Sequence, residues 1–143
     1  MNCLGKKMKK VSFLITAAVS AVVFLVGGCT TVSANNHLSV ADFARKLQKD
    51  GFKIEVVRPL DPSPLSASEA LEFTIDGANI GVYKYDIGVK KQRERLKNIK
   101  KNNTVYFVGF PYPVYEVSGS FIVVGLDKHK QKKRILKSLR DFK

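Results

Sequence analysis

The chain has 143 residues and a formal net charge of +13, from 25 Lys and Arg against 12 Asp and Glu. That length accommodates one small domain with a modest core, and the charge favours anionic partners without dictating a fold. Its two cysteines, Cys3 and Cys29, both fall in the first 29 residues, so no disulfide ties the rest of the chain together and that part must fold on its core alone.

The N-terminus begins with Lys6, Lys7, Lys9 and Lys10, continues through an uncharged apolar run and closes on Val26-Gly27-Gly28-Cys29. A basic start, an apolar middle and small residues at the end form the layout of a secretory signal. The last four residues resemble a lipobox, the site at which bacterial lipoproteins receive a diacylglyceryl thioether and are then cut, with Val26 where Leu is commonest. The resemblance implies a cleaved signal peptide over 1–28 and lipidation of Cys29 as residue one of the mature protein. Residues 11–28 also reach the low end of the roughly 17–25 residues of a membrane-spanning helix, so an uncleaved anchor is the alternative. Cleavage leaves 115 residues and removes four lysines and no acid, taking the charge from +13 to +9.

Residues 29–37 read as the lipidated cysteine and a polar tether. The segment 30–36 lacks an apolar period and is expected to stay mobile. An α+β domain over 38–143 follows. Ser39 with Asp42 three residues later predicts a capping box. Val40, Phe43, Ala44 and Leu47 then mark one helical face, ended by Asp50-Gly51. Phe52, Ile54 and Val56 alternate with Lys53 and Glu55 as in a half-buried strand. Three prolines at 59, 62 and 64 make a loop of the next stretch: either a contact surface or a plain connection, with the connection favoured.

Asp76-Gly77 is a two-residue hairpin turn signal. It sets Phe73 opposite Ile80 and Leu71 opposite Val82 on one face, and Thr74 opposite Asn79 and Glu72 opposite Gly81 on the other. Tyr83 and Tyr85 are expected on the more polar face. Residues 89–101 read as a helix with a thin stripe of Val89, Leu96 and Ile99 in an otherwise basic surface. Val105 to Val108 predict a strand broken by Pro111-Tyr112-Pro113. Phe121 to Val124 are apolar on both faces and predict a covered central strand. A last helix over 128–142 gathers Ile135, Leu136, Leu139 and Phe142 on one side.

The order predicts an α+β fold: a largely antiparallel sheet with about three helices packed on one face. The chain also resembles a family of small lipoproteins from Gram-positive bacteria whose function is unassigned. The likeness rests on Lys49-Asp50-Gly51-Phe52-Lys53-Ile54-Glu55 after the first helix and on Val82-Tyr83-Lys84-Tyr85 at the end of the hairpin. Pro113, six residues before the Gly119 that leads an apolar strand, completes it. The family implies no catalytic residue.

Nothing in the mature sequence assembles a catalytic motif. It has no cysteine nucleophile beyond Cys29, no Gly-x-Ser-x-Gly elbow and no phosphate-cradling loop. Asp127 and His129 offer two metal ligands where at least three are needed. The five tyrosines beside basic helices suit single-stranded nucleic acid, but export removes that partner and packing explains tyrosines on a sheet. The expectation is therefore a non-enzymatic binding module at the cell envelope, without cofactor or metal, held on the membrane through Cys29. The alternative is an accessory structural lipoprotein. Anionic lipid, wall polymer or an envelope protein are the partner classes. Lys90, Lys91, Arg93 and Lys97 on one helix and Lys132, Lys133 and Lys137 on the other are the candidate anionic-surface contacts.

Overall fold

The computed structural model describes residues 35–143. The apolar leader, Cys29 and the tether as far as Ala34 lie outside the described residues. The elements run α1 (Val40–Lys49), β1 (Ile54–Pro59), β2 (Glu69–Ile75), β3 (Ala78–Lys84), α2 (Lys90–Asn102), β4 (Thr104–Phe107), β5 (Phe110–Pro113), β6 (Val117–Ser118), β7 (Phe121–Val124) and α3 (Lys132–Arg140). Five strands form one antiparallel sheet in the order β1-β2-β3-β7-β6, and β4 pairs with β5 as a separate two-stranded ribbon. This is the expected small α+β domain. No helix of the described residues is long and apolar enough to cross a membrane.

Local chemistry sets the first elements. The Asp42 N–H donates to Ser39 Oγ at 3.1 Å and the Ser39 N–H donates to Asp42 Oδ2 at 2.8 Å, closing the capping box that starts α1. The helix buries Val40, Phe43 and Leu47 and ends where Gly51 takes φ +88°. In the hairpin, Asp76 and Gly77 both have positive φ, 51° and 71°, as a twist-matched two-residue turn requires. The register follows: Phe73 pairs with Ile80, Leu71 with Val82, Thr74 with Asn79 and Glu72 with Gly81.

The helices do not share one face. α1 and α3 cover the side of the sheet carrying Phe73, Ile75, Ile80, Val82, Phe121 and Val123. α2 and the β4–β5 ribbon cover the other, carrying Tyr83, Tyr85, Ile122 and Val124. Because β7 is apolar on both sides, a single helical layer would leave Ile122 and Val124 in water; a second layer is the physical remedy. Tyr83 and Tyr85 are correspondingly not on a polar face. They are 3% and 0% exposed, and the Tyr85 hydroxyl donates to the Leu65 carbonyl at 3.2 Å. Gly81 makes this packing possible: a Cβ there would stand 2.9 Å from Val124 and 3.1 Å from Tyr83.

Two further departures have local causes, and the proline loop keeps to the favoured expectation. A bulge between Ile54 and Val56 moves Val57, not Val56, opposite Phe73, so the simple alternation fails along the edge strand. Val89 caps α2 at 45% exposure instead of joining Leu96 and Ile99 in the core. The proline loop is a connection pinned by Leu65, which is fully buried at the end of a short 3-10 turn, Ser63–Leu65.

The described residues begin at Asn35, and Asn35 and Asn36 fall inside the segment expected to be mobile. Asn35 is 2% exposed. Its amide donates to the carbonyls of Phe142 and Ser118 at 2.9 and 3.2 Å, and its Oδ1 accepts from the Ser120 N–H at 3.0 Å. Asn36 Oδ1 accepts from the Ile87 N–H at 3.1 Å and from Ser120 Oγ at 2.8 Å. Two polar side chains thus stitch the segment before α1 to β6, to the approach to β7, to the end of α3 and to the entry of α2.

Candidate interaction surface

The seven cations singled out from the sequence do not converge. α2 and α3 lie on opposite faces of the sheet, so Lys90, Lys91, Arg93 and Lys97 point away from Lys132, Lys133 and Lys137. Several are engaged locally. Arg93 donates to the Ile87 carbonyl at 2.5 Å and is half-buried. Lys97 pairs with Glu94 at 3.1 Å and Lys137 with Asp141 at 2.5 Å. That carboxylate raises the Lys137 pKa above its ordinary value. Lys132 sits 3.1 Å over the ring of Tyr115, whose hydroxyl contacts Asp127. Among the described residues Lys90, Lys91 and Lys133 make no ion pair, and all three are exposed.

Two polar clusters are structural. His129 is buried. Its Nδ1 accepts from the Gln131 N–H at 3.1 Å and its Nε2 lies 3.1 Å from the Ile75 carbonyl. The Nε2–H tautomer satisfies both contacts and leaves no lone pair for a metal. His129 instead fastens the entry of α3 to the end of β2. A shallow cleft of about 250 Å³ lies between α1 and α3, lined by Asp50, Phe52, Arg134, Lys137, Ser138 and Asp141. Its charges answer one another. Lys46 Nζ stands 2.5 Å from Asp50, and Ser138 Oγ donates to Asp50 at 2.6 Å. The Lys46 ammonium, then the Ser138 hydroxyl, hold the Asp50 carboxyl below its ordinary range. Arg134 stacks 4.5 Å over Phe52.

The surface that sequence reasoning missed is the β4–β5 ribbon. The prolines do not break the strand; they lie in its return. Val108 and Gly109 form the turn at φ 47° and 84°, and Phe107 faces Phe110, Tyr106 faces Pro111, Val105 faces Tyr112 and Thr104 faces Pro113. Around a two-residue turn the closing pair, Phe107 and Phe110, exchanges hydrogen bonds, and the pairs then alternate. Pro111 and Pro113 therefore fall at non-hydrogen-bonded positions, where the missing N–H would have pointed outwards. One side of the ribbon is held by the second core: Val105 is 1% exposed, and Phe107 packs on Tyr83 and Tyr112 with ring centroids 5.9 and 5.1 Å apart.

The rest is in the open. Val108 is 95% exposed, Phe110 69%, Tyr106 55% and Tyr112 42%. No charge occurs from Asn103 to Tyr115. Val108 is also strained, since a β-branched residue in the left-handed region costs on the order of 1–2 kcal/mol. Asn-Gly would make the same turn without that cost. The available signal was the uncharged stretch itself, fourteen residues from Asn102 to Tyr115 in a strongly basic chain. It was hidden because Val-Gly is a poor turn signal and Pro-Tyr-Pro reads as a breaker.

Comparison with protein-family models, with curated proteins and with solved structures finds no match.

Proposed function

We propose that the chain is a lipid-anchored lipoprotein on the extracytoplasmic face of the cell membrane, acting as a non-enzymatic binding module at the envelope. The observation that carries the reading is the exposed, uncharged aromatic ribbon on an otherwise charged domain. Contiguous apolar surface of this kind marks interaction sites. The lipobox-like Val26-Gly27-Gly28-Cys29 supports the anchor. Asn35, the first described residue, stands six residues beyond Cys29, a separation of at most about 21 Å. One acyl chain gives marginal membrane residence and two give stable anchoring, as a diacylglyceryl group would supply.

The second reading, an accessory structural lipoprotein whose basic face rests on anionic membrane or wall polymer, draws on exposed Lys90, Lys91 and Lys133. With α2 and α3 on opposite faces, only one helix can meet a plane at a time.

The test is fatty-acid labelling in a lipoprotein-processing host, joined to photocross-linking in intact cells. The full chain takes up label and loses residues 1–28, whereas Cys29→Ala does neither. Recovery of the same mature N-terminus from Cys29→Ala refutes the anchor. A cross-linker at position 110 gives adducts that one at position 57, paired with Phe73 of the α1–α3 core, does not. Equal yields refute the ribbon as the binding surface.

A further inference from the structure

We propose that the β4–β5 ribbon is a membrane-interface foot: its tip enters the headgroup layer of the bilayer and fixes how the domain stands on it. The inference rests on the anchored reading above and names the occupant of the exposed surface.

Side-chain chemistry fits this occupant. Tyr106, Phe110 and Tyr112 combine apolar rings with, in the tyrosines, a polar end, the composition that settles at the membrane–water boundary. Val108 stands at the apex with almost its whole side chain in solvent, on a backbone conformation that a valine adopts against its preference. The fold gains nothing from an isopropyl group there, so its use lies outside the domain.

The backbone fits as well. A hairpin edge entering an apolar layer exposes unpaired N–H groups. On β5 the two outward positions are Pro111 and Pro113, which have no N–H to expose, so outward donors remain only on the β4 edge, at Thr104 and Tyr106. The same feature argues against a protein partner that adds a strand to this edge, because that mode draws on main-chain donors. A bilayer asks for none.

Geometry and charge complete the argument. From Asn103 to Val108 the ribbon extends about 16 Å at 3.3 Å per residue. Interfacial elements bury their apolar part by roughly 5–10 Å. Lys100 and Lys101, exposed at the end of α2 where the ribbon starts, are then held about 6–11 Å from the boundary, close to the 8 Å Debye length at physiological salt. They suit the phosphates of anionic lipids.

The test uses the full, lipidated chain reconstituted in vesicles of equal parts phosphatidylglycerol and phosphatidylcholine. The protein has no tryptophan, so Phe110→Trp supplies a single indole at an exposed position. The inference expects its emission to shift to the blue and to be quenched by lipids brominated near the headgroup. Val57→Trp, 53% exposed and paired with Phe73, which faces the α1–α3 layer on the other side of the sheet from the ribbon, stays unquenched. Adding Val108→Asp to Phe110→Trp abolishes most of the quenching while circular dichroism stays unchanged. A Phe110→Trp chain that floats with the vesicles while its indole remains unquenched overturns the foot and leaves the anchor standing. Chain that does not float overturns both. A blue shift without lipid means that the ribbon packs on a second copy, which also overturns the inference.

Discussion

Replacing Asn35 with Ala should destabilise the domain far more than its place in a polar, tether-like segment suggests. The side chain is 2% exposed and satisfies the Ser120 N–H and the carbonyls of Ser118 and Phe142. Truncation leaves these backbone groups without the amide, at about 1–3 kcal/mol for each one that stays buried. Asn36 beside it is only half-buried, so water can take up part of the loss. One or two uncompensated groups are therefore a reasonable count, giving roughly 2–4 kcal/mol. At about 4 °C per kcal/mol for a domain near 100 residues, the melting temperature falls by on the order of 8–16 °C. Thermal unfolding followed by far-UV circular dichroism reads this directly. His37→Ala, at an exposed neighbouring position, controls for any general effect of altering the segment. Asn35→Asp separates the two halves of the amide: it keeps an acceptor for Ser120 but sets a carboxylate oxygen against two carbonyls, and should be at least as harmful as Ala. A melting temperature for Asn35→Ala within about 2 °C of the parent would refute the view that this residue closes the fold.

Phe73→Ala, in the core facing α1 and α3, should cost roughly 3–5 kcal/mol in denaturant unfolding, against about 1 kcal/mol or less for Thr74→Ala, whose hydroxyl donates to Asn79 at 2.7 Å on the other face. Val108→Asn should raise stability by about 1 kcal/mol by relieving the left-handed strain at the turn, and an unchanged midpoint would mean that the turn carries none. Asp42, held down chiefly by the Ser39 backbone N–H, and Asp50, held down chiefly by Lys46, both have carboxyls below their ordinary value of 3.8. A depressed carboxyl adds stability above that value and loses it as pH falls through the lower folded one. Acid unfolding should therefore set in below pH 3.8, and Asp50→Asn should flatten that limb; an unaltered acid limb would speak against the Lys46 and Ser138 contacts.

The sequence was most readable where structure is made locally. The Ser39–Asp42 box and the Asp76-Gly77 turn each settle their geometry within a few residues, and the turn carries the register of β2 against β3 with it. Legibility ended where the answer depends on a distant neighbour. Tyr83 and Tyr85 alternate with Lys84 and look half-polar until α2 and the ribbon cover them. Which face of the sheet a helix takes is not encoded in its stripe, so α2 could not be separated from α1 and α3. Asn35 and Asn36 have the composition of a tether, and only partners far along the chain, such as the Ser118 and Phe142 carbonyls, turn them into core polar groups. At the candidate surface, the uncharged run was visible, but the turn inside it uses a residue that turn statistics disfavour.

The sheet is one body, yet it carries two separately built layers, and these differ in how firmly they hold. The α1–α3 side is clamped by the capping box, the His129 contact and the Phe43–Phe142 and Phe121–Phe142 ring pairs, with centroids 5.2 and 5.1 Å apart. On the other side α2, uncapped by a side chain and crowded with like charges as α3 is, has no capped helix packed beside it and enters the core through Leu96 and Ile99. Amide exchange should accordingly divide the molecule through the plane of the sheet, with α2 and the ribbon opening before β2, β3 and α1. The segment offered to the surroundings is then also the one that can be remade at the smallest expense to the fold, since the wall behind it stays closed.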